Sequence, residues 1–472
     1  MKKMFAENQA KDRLSYLKEL GLEDPQEVMD SNNGWGYDTT RMDENIKYLK
    51  QLGVDDICRT IKKHYKFLGY TVENIQEHVE YLESVGVKNV GKTVECHPNI
   101  LGVSIANMKE HVGYLESVGV KNVGKTVERC PNIIGGYSIA NIKEHVEWLE
   151  SVGVKKSKIG KTVERFPFVL GSYSIANMKE HVEWLESVGV KKSKIGKVVE
   201  TFPGILGGIS VDNMKEHIEY LESVGIRKIK VGKVVERCPM ILGGISVNNM
   251  KEHVGYLESV GVRNVGKTVE RCPNILCFSI DNLKAHSTYL ESVGIKDIGR
   301  AVEKCPFVLG SYSIESMDKH VQCLKEFGIK NIGAVISKAP AILGFRDITI
   351  ENKINYFIDA GISNGKEILE KYPSIFCLSV ENNLKPTINF ITNDMGYSIQ
   401  DIENYPVGLS YSLERRLKPR NAYFGDKKKP SLAWFSGTTD LRFATEVCGD
   451  IEPEGFLKFK FNFIEEQAEA KA

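Results

Sequence analysis

The sequence predicts an all-α superhelical solenoid of about ten to twelve helix–helix–turn (3-10) repeats, and three observations carry that prediction. Glycines that close an apolar helical run recur at Gly53, Gly86, Gly119, Gly153, Gly189, Gly225, Gly261, Gly294, Gly328 and Gly361. Prolines recur in a second register, at Pro98, Pro131, Pro167, Pro203, Pro239, Pro273, Pro306, Pro340, Pro373 and Pro406, so ten of the chain's 15 prolines share one place in a period of 33 to 36 residues. The stretch KEHVEWLESVG at 143–153 returns unchanged at 179–189, and residues 138–161 and 174–197 differ only in Ile142 against Met178. A period of this length marks stacked units, each unable to bury its apolar stripes alone.

In chain order, residues 1–37 read as an N-terminal capping segment with a weak repeat, LKELGL, around Gly21. Residues 38–424 form the array. Within the unit 104–137, Ser104 is a good N-cap, and Ile105, Met108, Val112 and Leu115 share one helical face. Gly119 supplies the left-handed residue that ends this first helix. A shorter second helix follows over about Asn122–Cys130, with Val123, Val127 and Cys130 facing inward. Pro131 cannot continue it, lacking an amide donor and clashing with the preceding turn. The next letters, NIIGG, form a turn or 3-10 segment that leads to the next cap, Ser138. Residues 425–472 do not fit the repeat, and their KFKFNF stretch (458–463) alternates as a strand does.

Composition excludes several classes. With 42% hydrophobic and 26% charged residues the chain is globular rather than disordered. No apolar run approaches the roughly 18 residues that a membrane helix needs. The first 20 residues carry Glu7, Asp12 and Glu19 and lack the apolar stretch of a secretory signal, so the reading is a cytoplasmic protein, or an organellar one whose presequence has been removed. Of the ten cysteines, Cys130, Cys238, Cys272 and Cys305 precede the repeat proline where Phe166 and Phe202 stand in other copies. A position that accepts Cys or Phe is a packing position, so these are read as buried, reduced thiols. No CxxC occurs.

The proline-containing unit resembles the repeat of the mitochondrial transcription termination factor (mTERF) family, through HVEWLESVGV, VGKTVERFP and PFVLGSYS. LSYSLERRLKPRNAYF (409–424) resembles that family's closing motif at Leu413, Arg416, Pro419 and Arg420. The resemblance covers roughly residues 38–424. It implies a curved array that binds nucleic acid along its concave side, in transcription termination or initiation, RNA processing or ribosome assembly.

The distribution of charge gives that implication a chemical candidate. The net charge is only +1, but it is not evenly spread. Over the five units from 104 to 278 the first-helix segments sum to −9 and the second-helix segments to +15. On the second helix, Lys125 and Arg129 stand four apart, opposite the apolar face. The pair returns as Lys161/Arg165, Lys233/Arg237, Lys267/Arg271 and Arg300/Lys304, while Lys197 keeps half of it beside Thr201. Stacked helices would space these cations ~10 Å apart, a plausible match to regularly spaced phosphates. Ten units would span ~100 Å, or at most ~30 base pairs. The densest cationic cluster is Arg415, Arg416, Lys418 and Arg420, followed by Tyr423 and Lys427–Lys429. The competing reading is a solvated surface whose lysines pair with glutamates such as Glu128, or, for the C-terminal cluster, an end cap. Few arginines are placed to read bases, so specific base recognition is not predicted.

Other motifs carry no chemistry. Eight histidines (His78, His111, His145, His181, His217, His253, His286, His320) sit one per unit in the KEH slot, as packing or hydrogen-bonding residues rather than metal ligands. Gly119 to Thr126 has the letters of a phosphate loop, GxxxxGKT, but joins two helices instead of following a strand. No enzyme, cofactor or metal is expected. The sequence reading is therefore a monomeric solenoid that binds double-stranded DNA and acts by occupancy. The alternatives are an RNA-binding protein or a protein-binding scaffold with two charged walls.

Overall fold

The structure, a computed structural model, describes residues 13–26, 39–345, 349–425 and 429–469. Much of the predicted N-terminal cap, together with Lys427 and Lys428, lies outside the described residues. The fold is all-α, with no strand among the described residues. It comprises two compact units: residues 1–220 with 227–245, and residues 221–226 with 246–472.

Each repeat in the first unit is built as its sequence requires. The helix Ile105–Ser117 starts where Ser104 Oγ accepts from Asn107 N, and it buries Met108, His111, Val112 and Leu115. Ile105, read as a face residue, is only half-buried, and His111 takes the place in the stripe. Gly119 ends the helix at φ 91°, where Val120 N donates to Leu115 O at 3.0 Å in the 6→1 bond of a Schellman motif. The second helix is Val123–Arg129, and Pro131 opens the 3-10 turn Pro131–Ile133. Where the period is 36 residues the second helix lengthens to ten, as in Lys156–Arg165, Lys192–Thr201 and Lys228–Arg237.

Second helices of successive repeats lie directly against one another within each unit. Glycine allows it. A β-carbon on Gly160 would overlap the carbonyl of Gly119, and one on Gly196 the carbonyl of Gly153. The glycine of the GK[TV] motif thus lets one helix meet the capping turn of the preceding repeat. This gives the phosphate-loop letters a purely steric meaning.

Seven of the eight histidines in the KEH slot bridge repeat segments, while His320 Nε2 finds no partner among the described residues. His111 Nδ1 lies 2.9 Å from Asn107 O and Nε2 lies 2.9 Å from Tyr137 O, just before the next cap. His145 does the same with Asn141 O and Tyr173 O, at 2.8 and 2.9 Å. Where other residues occupy the slot they are also donors. Asn45 Nδ2 reaches Tyr70 O at 2.8 Å, and Lys353 Nζ donates to Phe376 O. No disulfide joins the ten cysteines, and the four that precede prolines are buried. Burial pushes the Cys130 and Cys305 thiols up from their ordinary pKa, away from the reactive thiolate.

In the second unit the repeats become irregular toward the C-terminus. Lys385–Asn389 and Lys418–Phe424 each carry proline at the second position and follow a π-helical turn. Proline has no N–H to give the ordinary ladder, and the wider turn accommodates the lost bond. The segment 458–463, expected as a strand, lies inside the helix Glu454–Glu469. Phe456, Phe459 and Phe463 recur at helical spacing, and Phe456 and Phe459 pack on Tyr423 with centroids 5.0 and 5.2 Å away. Phe456 is fully buried and meets Phe443, which joins Phe435 and Phe424. The helical period wins because it buries Phe456 and half-buries Phe459 and Phe463, whereas a strand there would have no neighbour to satisfy its edge.

Candidate nucleic-acid interface

The second helices present their two cationic positions differently. Lys125, Lys161, Lys197 and Lys233 in the first unit, and Lys267 and Arg300 in the second, are exposed, and their side chains form no hydrogen bond or ion pair among the described residues. The position four residues later is committed. Arg129 Nη1 donates to Glu164 O at 2.7 Å, and Arg165 Nη1 to Glu200 O at 2.6 Å. Arg271 Nη2 donates to Lys304 O at 2.7 Å, and Lys304 Nζ to Ser337 O at 2.8 Å. Each head therefore satisfies carbonyls at the C-terminus of the next repeat's second helix, where unpaired acceptors and the negative end of the dipole favour a cation. Lys63 and Lys338 make the same contact, to Cys96 O at 2.8 Å and Glu370 O at 3.1 Å, and were missed as members of this series. Arg237 stands exposed at the end of Lys228–Arg237.

The glutamates of VER are not the lysines' partners. Glu128 Oε1 accepts from Lys88 N at 2.7 Å and Asn89 N at 3.0 Å. Glu164 does so from Lys121 N and Asn122 N at 2.6 and 2.9 Å, and Glu303 from Arg263 N and Asn264 N at 2.8 and 2.9 Å. Each carboxylate thus caps the N-terminus of the preceding second helix. This corrects the expectation that Glu128 pairs with surface lysines. Glu200 and Glu236 likewise accept from Lys155 N and Lys191 N, so these carboxylates bond backbone amides and not the exposed cations of their own helices. At Lys304, burial and then the neighbouring Arg300 charge press the ammonium pKa below its ordinary value.

The ten-residue second helices add cations that residue spacing alone did not single out. Lys156, Lys158, Lys192, Lys194 and Lys228 are exposed in the first turn of their helices. A cation there opposes the helix dipole, so helix stability does not account for it. The longer repeat period was the available signal.

The C-terminal cluster separates into unlike parts. Arg420 is fully buried and donates to Phe435 O, Thr438 O and Asp440 Oδ1, at 2.7, 2.8 and 2.8 Å, so it is a structural residue and not a nucleic-acid contact. It fills the core because it can satisfy several carbonyls of the 435–438 turn at once. Arg416 is half-buried, donates to Thr438 O and lies 4.3 Å over the Tyr411 ring. Lys418 pairs with Glu414 at 2.8 Å. Arg415 is exposed. Tyr423 donates to Asp450 at 2.8 Å and packs in the aromatic core, and Lys429 donates to Met395 O.

Among the described residues, no three His, Cys, Asp or Glu side chains group as metal ligands, and no helix is long and apolar enough to cross a membrane. A family model described as mTERF matches residues 1–149 and 146–444. Transcription termination factor MTERF2, chloroplastic, of Arabidopsis thaliana is 28% identical over 106 residues, which is 22% of this chain and 16% of the length of that relative.

Proposed function

The chain belongs to the mTERF family, and from that premise we propose that it binds nucleic acid, duplex DNA before RNA, through exposed cations on each unit: Lys125, Lys161, Lys197 and Lys233 on the first, and Lys267 and Arg300 on the second. One observation carries the reading: these cations stand on second helices that stack within each unit, while the neighbouring glutamates are tied to backbone amides. These cations have no side-chain partner among the described residues, and a phosphate backbone supplies anions for them. The exposed lysines at the starts of the longer second helices add further cations to the first unit. The mechanism is occupancy. A bound duplex blocks or positions the transcription machinery, and regulation of termination follows without covalent chemistry. The relative's name places that protein in the chloroplast, which supports an organellar site of action over a cytoplasmic one.

The test is equilibrium binding of the full chain to a 30-base-pair duplex and to single-stranded RNA of equal length, from 50 to 300 mM salt. If all six cations engage phosphates, log affinity falls against log salt with a slope of about −5 on duplex DNA. Preference for RNA would move the function to RNA metabolism. Absence of binding to either at 50 mM would leave a protein-binding scaffold.

A further inference from the structure

A second, separate basic feature lies in the second unit. A recess of about 420 Å³ opens between the closing motif and the C-terminal segment, lined by Ser412, Arg415, Arg416, Thr439, Asp440 and Lys460, with Tyr411 as a wall. Its lining consists largely of donors. Arg415 is exposed and without a side-chain partner among the described residues. Arg416 is fixed by its stacking on Tyr411 and its bond to Thr438 O, and its Nε is buried with no acceptor. Ser412 Oγ and Thr439 Oγ1 each accept a backbone N–H, from Arg415 and Arg442, which leaves each hydroxyl hydrogen to donate. The one carboxylate is already neutralised. Asp440 Oδ1 accepts from the buried Arg420 at 2.8 Å, and Oδ2 accepts from Lys460. Asp440 therefore anchors the Lys460 ammonium at the recess and contributes no uncompensated negative charge.

We propose that this recess is a binding site for a phosphomonoester. Three cationic heads and two free hydroxyl donors match a group with about −1.5 to −2 charges and three acceptor oxygens. An internal phosphodiester, with a single charge, uses the site less fully. The ligand chemistry has two sources, the 5′-terminal phosphate of a strand or a free nucleotide. The first source rests on the nucleic-acid reading above; the site itself does not.

The experiment compares two 30-base-pair duplexes that differ only in carrying 5′-phosphate or 5′-hydroxyl ends. Inorganic phosphate and a nucleoside 5′-monophosphate are titrated alongside by calorimetry. The variants are Arg415→Gln, which removes an exposed head, and Lys460→Gln, with thermal melting to confirm that each is folded. The expected result is roughly tenfold tighter binding of the 5′-phosphorylated duplex, with the ratio between the two duplexes falling toward one in either variant. No such ratio, but saturable binding of the mononucleotide or phosphate that Arg415→Gln abolishes, would also support the site and assign it a free ligand. If the duplexes bind equally and neither small anion binds, the phosphomonoester site is overturned while the nucleic-acid reading stands. If neither duplex binds and the small anion does, the converse holds.

Discussion

Arg129 and Glu164 are joined at both ends of one helix–helix contact. Arg129 Nη1 donates to the main-chain oxygen of Glu164, while the Glu164 carboxylate reaches back to the amides of Lys121 and Asn122, which open the helix that Arg129 closes. One residue pair therefore supplies a C-terminal cation to one helix and an N-terminal anion to its neighbour, each on the favourable end of the dipole. The same device returns at Arg165 with Glu200 and at Arg271 with Glu303. It removes every VER arginine and glutamate of these pairs from the charges open to a ligand, and leaves the lysine row.

This division predicts opposite phenotypes for residues four apart. Arg165→Gln should lower stability by about 1 kcal/mol, the order of an exposed charge-assisted hydrogen bond, and change duplex affinity little. Lys161→Gln should leave stability within about 0.5 kcal/mol and reduce the magnitude of the salt slope by about one. Urea melts and salt-dependent binding on the two variants check both. A shared phenotype would sink the distinction.

The glycine contact between second helices leaves no room for a side chain. Gly196→Ala should destabilise the first unit by about 3 kcal/mol, because its β-carbon meets the rigid carbonyl of Gly153 instead of a mobile side chain. Gly113→Ala is the control, since nothing lies within 4 Å of its β-carbon. It should be neutral or slightly stabilising, by less than about 1 kcal/mol. Thermal unfolding of both variants decides.

Each bridging histidine holds a carbonyl that would otherwise be buried and unsatisfied. His145→Ala should cost about 2–3 kcal/mol, as it abandons Tyr173 O and leaves a gap. His145→Asn should recover part of that loss, since Asn45 fills the equivalent slot. Equal losses in the two variants would show that the ring's volume, and not its donors, matters.

Asp440 sets an acid limit. Burial alone would raise its pKa, but Lys460 and Arg420 override that effect and hold the carboxyl below its usual value. A depressed folded-state pKa stabilises above the unfolded value of about 3.9, and that stabilisation is lost as pH falls through the folded value. Asp440→Asn should cost about 3 kcal/mol at pH 7, because the buried Arg420 loses its counter-charge. Its stability should also fall less steeply below about pH 4 than that of the unchanged protein. Urea melts between pH 3 and 7 measure both effects.

Much of the fold is legible in the letters because it depends on short-range rules. Ser104 caps, Gly119 terminates and Pro131 stops, each through its own backbone chemistry. The misreadings arise where a second pattern overlies the first. KFKFNF carries a two-residue alternation across a helical phenylalanine spacing, and only burial against Tyr423 and Phe443 selects between them. At the site, Lys125 and Arg129 look equivalent in sequence because both are cations on one helix face. Arg129 stands at the end of its helix, where a cation, arginine here and lysine at position 304, meets the next repeat's terminal carbonyls, and that partner lies 35 residues away.

By itself the sequence determined the repeat, its two helices, its breaks and the opposite charge of its two helix types. These follow from periodicity and from the conformational limits of glycine, proline and serine, which act within a few residues. Only the tertiary structure decided which cations face solvent, which glutamates are already held, and that Arg420 belongs to the core. Those outcomes depend on acceptors brought close by stacking and by the folding of the C-terminal segment, and the partner of a charge is set by distance in space and not along the chain.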